Sequence, residues 1–162
     1  MARAVGIYEG ALRLAVLELK EKPVVPLRLE KLLFQTFERF SLNQSAKIIP
    51  VPLHLKRQRE RGFNQAAILA QNLSKRTGQQ VLENCLTRKI YTAQHRGAMD
   101  ERARRESVEK AFVVRQPRLV DNQKILLIDD VFTSGATASV CAQALKEKGA
   151  SEVFVLTIAR AV

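Results

Sequence analysis

Apolar positions in this chain follow two alternating periods, one helical and one extended. Residues 8–20 carry Leu12, Val16 and Leu19 on one helical face, and 27–40 carry Leu29, Leu32, Leu33 and Phe37 at similar spacing. Pro23 and Pro26 separate the two. A short strand follows in KIIPVPLH and runs into Pro50 and Pro52. Helical spacing returns over 64–76 with Ile68, Leu69 and Leu73, and Asn64 stands where an N-cap belongs. Strands are predicted around 81–86 and at 112–114, 125–128 and 153–158. Between the last two, Val140, Ala144 and Leu145 mark a helix that Gly149 stops. Residues 91–107 are polar and basic. Strands alternating with helices predict an α/β fold, a mostly parallel sheet flanked by helices. The reading is one domain over 1–162, with a helical segment at 1–45 and an α/β core at 46–162.

The strand at 125–128 ends in the adjacent carboxylates Asp129 and Asp130, followed by Val131, Phe132, Thr133, Ser134, Gly135, Ala136 and Thr137. The order is strand, acidic pair, hydroxyl-rich loop, helix. A helix N-terminus offers unpaired N–H groups and partial positive charge, so this loop suits a phosphate. Gly135 permits close backbone approach, and the hydroxyls of Thr133, Ser134 and Thr137 can donate. The carboxylates suit sugar hydroxyls or a hydrated Mg²⁺, held directly or through water. A 5-phosphorylated ribose combines all three demands.

Rival phosphate sites fit less well. A Walker B strand needs a Gly-Lys pair upstream, and none occurs; no G-x-G-x-x-G occurs either. The acidic pair of a response regulator follows a first strand, whereas only one predicted strand follows this one.

A second strand end carries PVPLHLKRQRERGFNQ, where Arg57, Arg59, Arg61 and Gly62 form a basic approach to a helix. Guanidinium groups grip phosphate oxygens in pairs, so pyrophosphate suits this loop. The alternative is a capped helix with a charged, solvated approach. A third region, 92–105, is long and polar enough to close over a ligand. His54 and His95 read as surface residues, and with Cys85 and Cys141 they have no zinc-ligand spacing.

The net charge of +11 favours anionic partners, including nucleic acid. Aromatic residues are few and not interleaved with the basic ones, so a generic solvated surface is an equal reading. No apolar run reaches the length of a membrane span. Two lone cysteines form no disulfide framework, and the cytoplasm is the expected compartment.

The acidic-pair loop resembles the phosphoribosyl-pyrophosphate (PRPP) loop of type I phosphoribosyltransferases, with Ser134, Gly135, Ala136 and Thr137 in the places of Thr-Gly-Gly-Thr. With PVPLH, RGFNQ, the 92–94 region and Ala111-Phe112, most of the chain resembles the ComF family. That resemblance implies PRPP bound with Mg²⁺. Asp129 and Asp130 would meet the ribose hydroxyls and lie near the metal. Residues 133–137 would hold the 5-phosphate, and 50–61 would form the pyrophosphate loop. A flexible loop at 92–105 would contribute Gln94, Arg102 and Arg104. It also implies a role in DNA uptake, with single-stranded DNA or a competence helicase as partner, and an oligomer is compatible with it. Members of the family usually begin with a four-cysteine zinc module, which this sequence does not show, being either a fragment or a short member, and no zinc is expected in it. Ser107 also replaces an Asn, and the flexible loop is slightly longer.

Two functions therefore stand side by side. One is an enzyme that transfers phosphoribose from PRPP, although no pocket for an accepting base is legible. The other is a nucleic-acid or partner-binding protein with a vestigial PRPP loop. A ligand-sensing regulator ranks behind both, because no helix-turn-helix is visible.

Overall fold

The computed structural model describes residues 1–40, 46–88 and 111–161. In chain order the elements are β1 (Ala2–Ile7), α1 (Gly10–Glu21), α2 (Leu27–Glu38), β2 (Lys47–Pro50), α3 (Leu55–Arg61), α4 (Gln65–Thr77), β3 (Leu86–Arg88), β4 (Phe112–Val114), β5 (Lys124–Phe132), α5 (Ala136–Lys146) and β6 (Glu152–Arg160). Four strands form a parallel sheet in the order β1-β6-β5-β2, and β3 and β4 form an antiparallel pair.

Ile125, Leu126, Leu127 and Ile128 are fully buried because helices cover both faces of β5. Alternation sends Leu126 and Ile128 toward Leu19 of α1, Leu33 of α2 and Leu69 of α4. Ile125 and Leu127 face the other way, toward Cys141 and Leu145 of α5 and Phe112 of β4. The helices after β2 and after β5 thus lie on opposite faces. Neighbouring strands whose connections diverge leave a crevice at their carboxyl ends, where ligands of open α/β sheets bind. Here β2 and β5 are such a pair of neighbours.

Several elements differ from the sequence expectation. Ala2–Ile7 is an edge strand, paired in parallel with β6 from Ala2 opposite Val155 to Ile7 opposite Arg160. Its residues show no apolar alternation, because among them only Val5 packs on the main core. The stretch at 81–86 forms one bridge, Val81 to Ile48, then a turn, and regular pairing begins only at Leu86. The basic approach after β2 is helical, as α3; the His54 side chain accepts from Lys56 N–H, and Gly62 ends it at a φ of +81°. Strand β5 is nine residues long, so the acids sit inside it; β2 stops at Pro50 opposite Ile128. Asp129 through Phe132 pair on one side only, with β6.

Candidate functional site

Asp129 and Asp130 are consecutive in an extended strand and point to opposite faces. Each folds one oxygen onto the next amide: Asp130 N–H donates to Asp129 Oδ1 at 2.9 Å, and Val131 N–H donates to Asp130 Oδ1 at 2.8 Å.

Asp130 is 7 % exposed and lies on the side of α1 and α4. Its free oxygen, Oδ2, meets Lys20 Nζ at 3.4 Å and accepts from Gln65 Nε2 at 3.1 Å. Gln65 in turn accepts, through Oε1, from Arg61 Nη1. Asn64 accepts from Ala66 N–H through Oδ1 and donates from Nδ2 to the Val51 carbonyl at 3.0 Å. The RGFNQ motif thereby acquires local meanings. Gly62 turns the chain, Asn64 caps α4 and ties it to the end of β2, and Gln65 reaches the acidic pair.

Asp129 faces the loop before α5. A cavity of about 30 Å³ there is lined by Asp129, Phe132, Thr133, Gly135, Thr137 and Thr157, among others. That is room for one water. Burial, followed by the adjacent Asp130 charge, pushes the Asp129 carboxyl up to about 7, and Lys20 partly opposes this. Gly135 is the N-cap of α5 at a φ of +76°. Thr133, Ser134, Ala136 and Thr137 are exposed, so the outer side of the loop, rather than the cavity, has space for a phosphate. The Ser134 hydroxyl accepts from Ala136 N–H at 3.4 Å.

On α3, Arg57 and Arg59 are exposed, and Arg61 is half-buried at its end. Gln94, Arg102 and Arg104 lie outside the described residues, in the segment joining β3 to β4. A larger cavity of about 280 Å³ borders Arg3, Arg39 and Arg160 and shares Phe132 with the site. Burial raises the thiols of Cys85 and Cys141 above their ordinary range, which removes them as nucleophiles.

No group of three or more His, Cys, Asp or Glu side chains converges among the described residues. Two adjacent carboxylates near the end of β5 nevertheless fit Mg²⁺, which keeps several waters and shares phosphate oxygens of its ligand rather than needing a full protein cage. No helix among the described residues is long and apolar enough to cross a membrane.

Sequence reasoning missed Lys20 and did not give Gln65 a site role, although both leave a signal. Lys20 continues the Leu12–Val16 spacing on α1, and Gln65 precedes Leu69 and Leu73 at the same four-residue step. A polar residue on a core stripe needs a partner, and for both the partner is Asp130.

The comparisons with known proteins agree with this geometry. Competence protein F of Haemophilus influenzae is 36 % identical over 115 residues, covering 70 % of this chain and 50 % of that protein. Competence protein ComFC of Bacillus subtilis is 32 % identical over 130 residues, covering 77 % of this chain and 49 % of that protein. The chain is a homologue of the ComF competence proteins. It spans about half the length of the curated relatives it matches. DNA utilization protein YhgH of Escherichia coli O157:H7 is a further relative of this ComF homologue, 37 % identical over 70 % of this chain and 49 % of its own length. Among solved structures, the glutamine PRPP amidotransferase of B. subtilis superposes with a TM-score of 0.56 at 20 % identity, covering 80 % of this chain and 25 % of that one. A purine phosphoribosyltransferase from Pyrococcus horikoshii gives 0.52 at 16 % identity, covering 83 % and 85 %. The ComF homologue has the type I phosphoribosyltransferase fold. No family model matches the chain.

Proposed function

We propose that this protein binds PRPP, or a related phosphorylated ribose, together with Mg²⁺, as a phosphoribosyltransferase-like protein of the cytoplasm that serves the uptake or use of DNA. The observation that carries the reading is the pairing of β2 with β5, which brings their carboxyl ends together. One end has a carboxylate pair running into a left-handed glycine and a helix N-terminus, and the other has a short arginine-rich helix. A ligand with a phosphate at one end, hydroxyls in the middle and pyrophosphate at the other matches that order of groups.

Within this reading, the hydroxyls of Thr133, Ser134 and Thr137 and the amides at the start of α5 hold the 5-phosphate. Asp129 and Asp130 orient the ribose hydroxyls and hold Mg²⁺, directly or through water. Arg57, Arg59 and Arg61 neutralise charge on the pyrophosphate, which is the leaving group in phosphoribosyl transfer. When bound, Mg²⁺ supplies further charge neutralisation there. The relatives named for competence and DNA utilization supply the physiological half of the proposal.

A second reading is a nucleic-acid or partner-binding protein with a vestigial PRPP loop, and single-stranded DNA or a competence helicase would be its partner. The net charge of +11 and the exposed Arg57 and Arg59 favour it. Calorimetric titration of PRPP with and without Mg²⁺, on wild type and Asp129→Asn/Asp130→Asn, separates the two. Mg²⁺-dependent binding that the double variant loses is the expected result. No binding to wild type would overturn the PRPP reading and leave DNA as the leading ligand.

A further inference from the structure

Two segments far apart in the chain meet Asp130: Lys20 comes from α1, and Gln65 from the first turn of α4. Arg61, in the last turn of the neighbouring α3, reaches Gln65 rather than Asp130. The contacts form an unbranched chain from Arg61 to Gln65 to Asp130, which Lys20 closes on the far side. Gln65 is only 4 % exposed, so little water competes for its amide. The amide is also directional: its oxygen faces the arginine and its nitrogen faces the carboxylate. Hydrogen bonds in such a chain polarise one another, and fixing one end orders the next.

We propose that Gln65 is a positioning residue that couples the two halves of the ligand site, and that Lys20 is a second positioning residue anchoring Asp130 from α1. This rests on the PRPP reading above. Gln65 uses one donor position of Arg61, and no other side-chain partner of that guanidinium is found among the described residues, so its further donors can serve an anion. An anion on Arg61 immobilises that guanidinium, and through Gln65 the carboxylate of Asp130. A sugar meeting Asp130 then has less ordering to do. Each partial ligand therefore tightens the other, and linkage makes the effect reciprocal. Lys20 lies beyond Asp130 and outside the path between the two halves. It contributes to the ribose half alone.

The test uses two probes, inorganic pyrophosphate and ribose 5-phosphate, both with Mg²⁺, titrated singly and each in the presence of saturating amounts of the other. In wild type the presence of one should tighten the other by about fivefold or more. Gln65→Met, close in volume, should bring that factor to one. Lys20→Met, at a partly exposed site, should weaken ribose 5-phosphate yet keep the factor. If Gln65→Met does not fold, Arg61→Met breaks the same chain from its outer end and should also bring the factor to one. A purely packing role for Gln65 would lower melting temperature without moving the factor. Wild type that binds both probes independently, or a Gln65→Met protein that keeps the full factor, overturns the coupling and leaves the PRPP reading intact. Loss of the factor in Lys20→Met would overturn the role given to that residue. Wild type that binds neither probe overturns both the coupling and the PRPP reading.

Discussion

The Phe132 ring lies 2.7 Å from the point where a Cβ on Gly135 would stand, so the last residue of β5 roofs the loop that follows it. Gly135 also holds a φ of +76°. Gly135→Ala therefore meets two separate costs. A left-handed backbone costs a residue with a β-carbon about 1–2 kcal/mol. Displacing the ring costs about 1–3 kcal/mol more. In a Phe132→Ala background only the first remains. Chemical denaturation of the two single variants and the double variant should give a non-additive cycle, with Gly135→Ala milder when the ring is absent. Additivity would mean that the ring does not set the loop.

Asn64 bonds through both ends of its amide, and substitutions can part the two roles. Asn64→Ala removes the cap on α4 and the donor to the Val51 carbonyl. The expected loss is about 1–3 kcal/mol of stability. Asn64→Asp keeps the cap and loses the donor. It should fall between wild type and Asn64→Ala in urea midpoint. An Asp variant as weak as Ala would show that the tie to β2 carries the whole effect.

The sheet core was legible because apolar runs in β5 and β6 leave few alternatives, and the phosphate-type loop was legible because its chemistry is local. Edge strand β1 was not legible. A parallel edge strand reading ARAVGI, with only Val5 packed on the core, gains its place from backbone pairing with β6, which apolar spacing does not encode. Helix α3 was hidden for a related reason. LKRQRER has no buried residue and so no apolar stripe, and it holds its shape through the His54 cap and the Gly62 turn. In the site, Asp129 and Asp130 announced themselves as a pair. Their division of labour did not, since the Lys20 and Gln65 contacts exist only after two distant segments converge on one carboxylate.

The raised Asp129 carboxyl gives stability a definite pH dependence. Its folded value is about 7. In the unfolded chain it titrates near the ordinary value of about 3.9. Between those values the folded chain keeps a proton that the unfolded chain has released. Stability therefore falls as pH rises through that window, at no more than about 1.4 kcal/mol per pH unit. Below the window the cost is absent; above it the cost is complete. Asp129→Asn removes the titrating group. Thermal melts from acid to mildly alkaline pH should show the variant gaining on wild type as pH rises, with the gap levelling above about pH 7. A gap that stays constant across the window would mean that Asp129 ionises normally in the fold.

Arg57 and Arg59 are exposed, and no ion pair among the described residues includes either. Replacing both with Ala should change stability by no more than about 0.5 kcal/mol for each. Ligand binding is expected to respond far more. A hydrogen bond to a charged group contributes about 1.5–3 kcal/mol, so each arginine lost from a pyrophosphate contact should weaken PRPP about ten- to a hundredfold. Single-stranded DNA would register the same change differently, as a shallower dependence of affinity on salt, by about one phosphate contact per arginine. Titrating both ligands over a range of salt concentrations therefore assigns the helix. A large loss for PRPP with an unchanged DNA salt slope fixes α3 as the pyrophosphate half of the site. The reverse pattern makes it a nucleic-acid contact and moves the pyrophosphate elsewhere. If both ligands respond, then PRPP and DNA share one surface and must compete, which a displacement titration at fixed salt would detect.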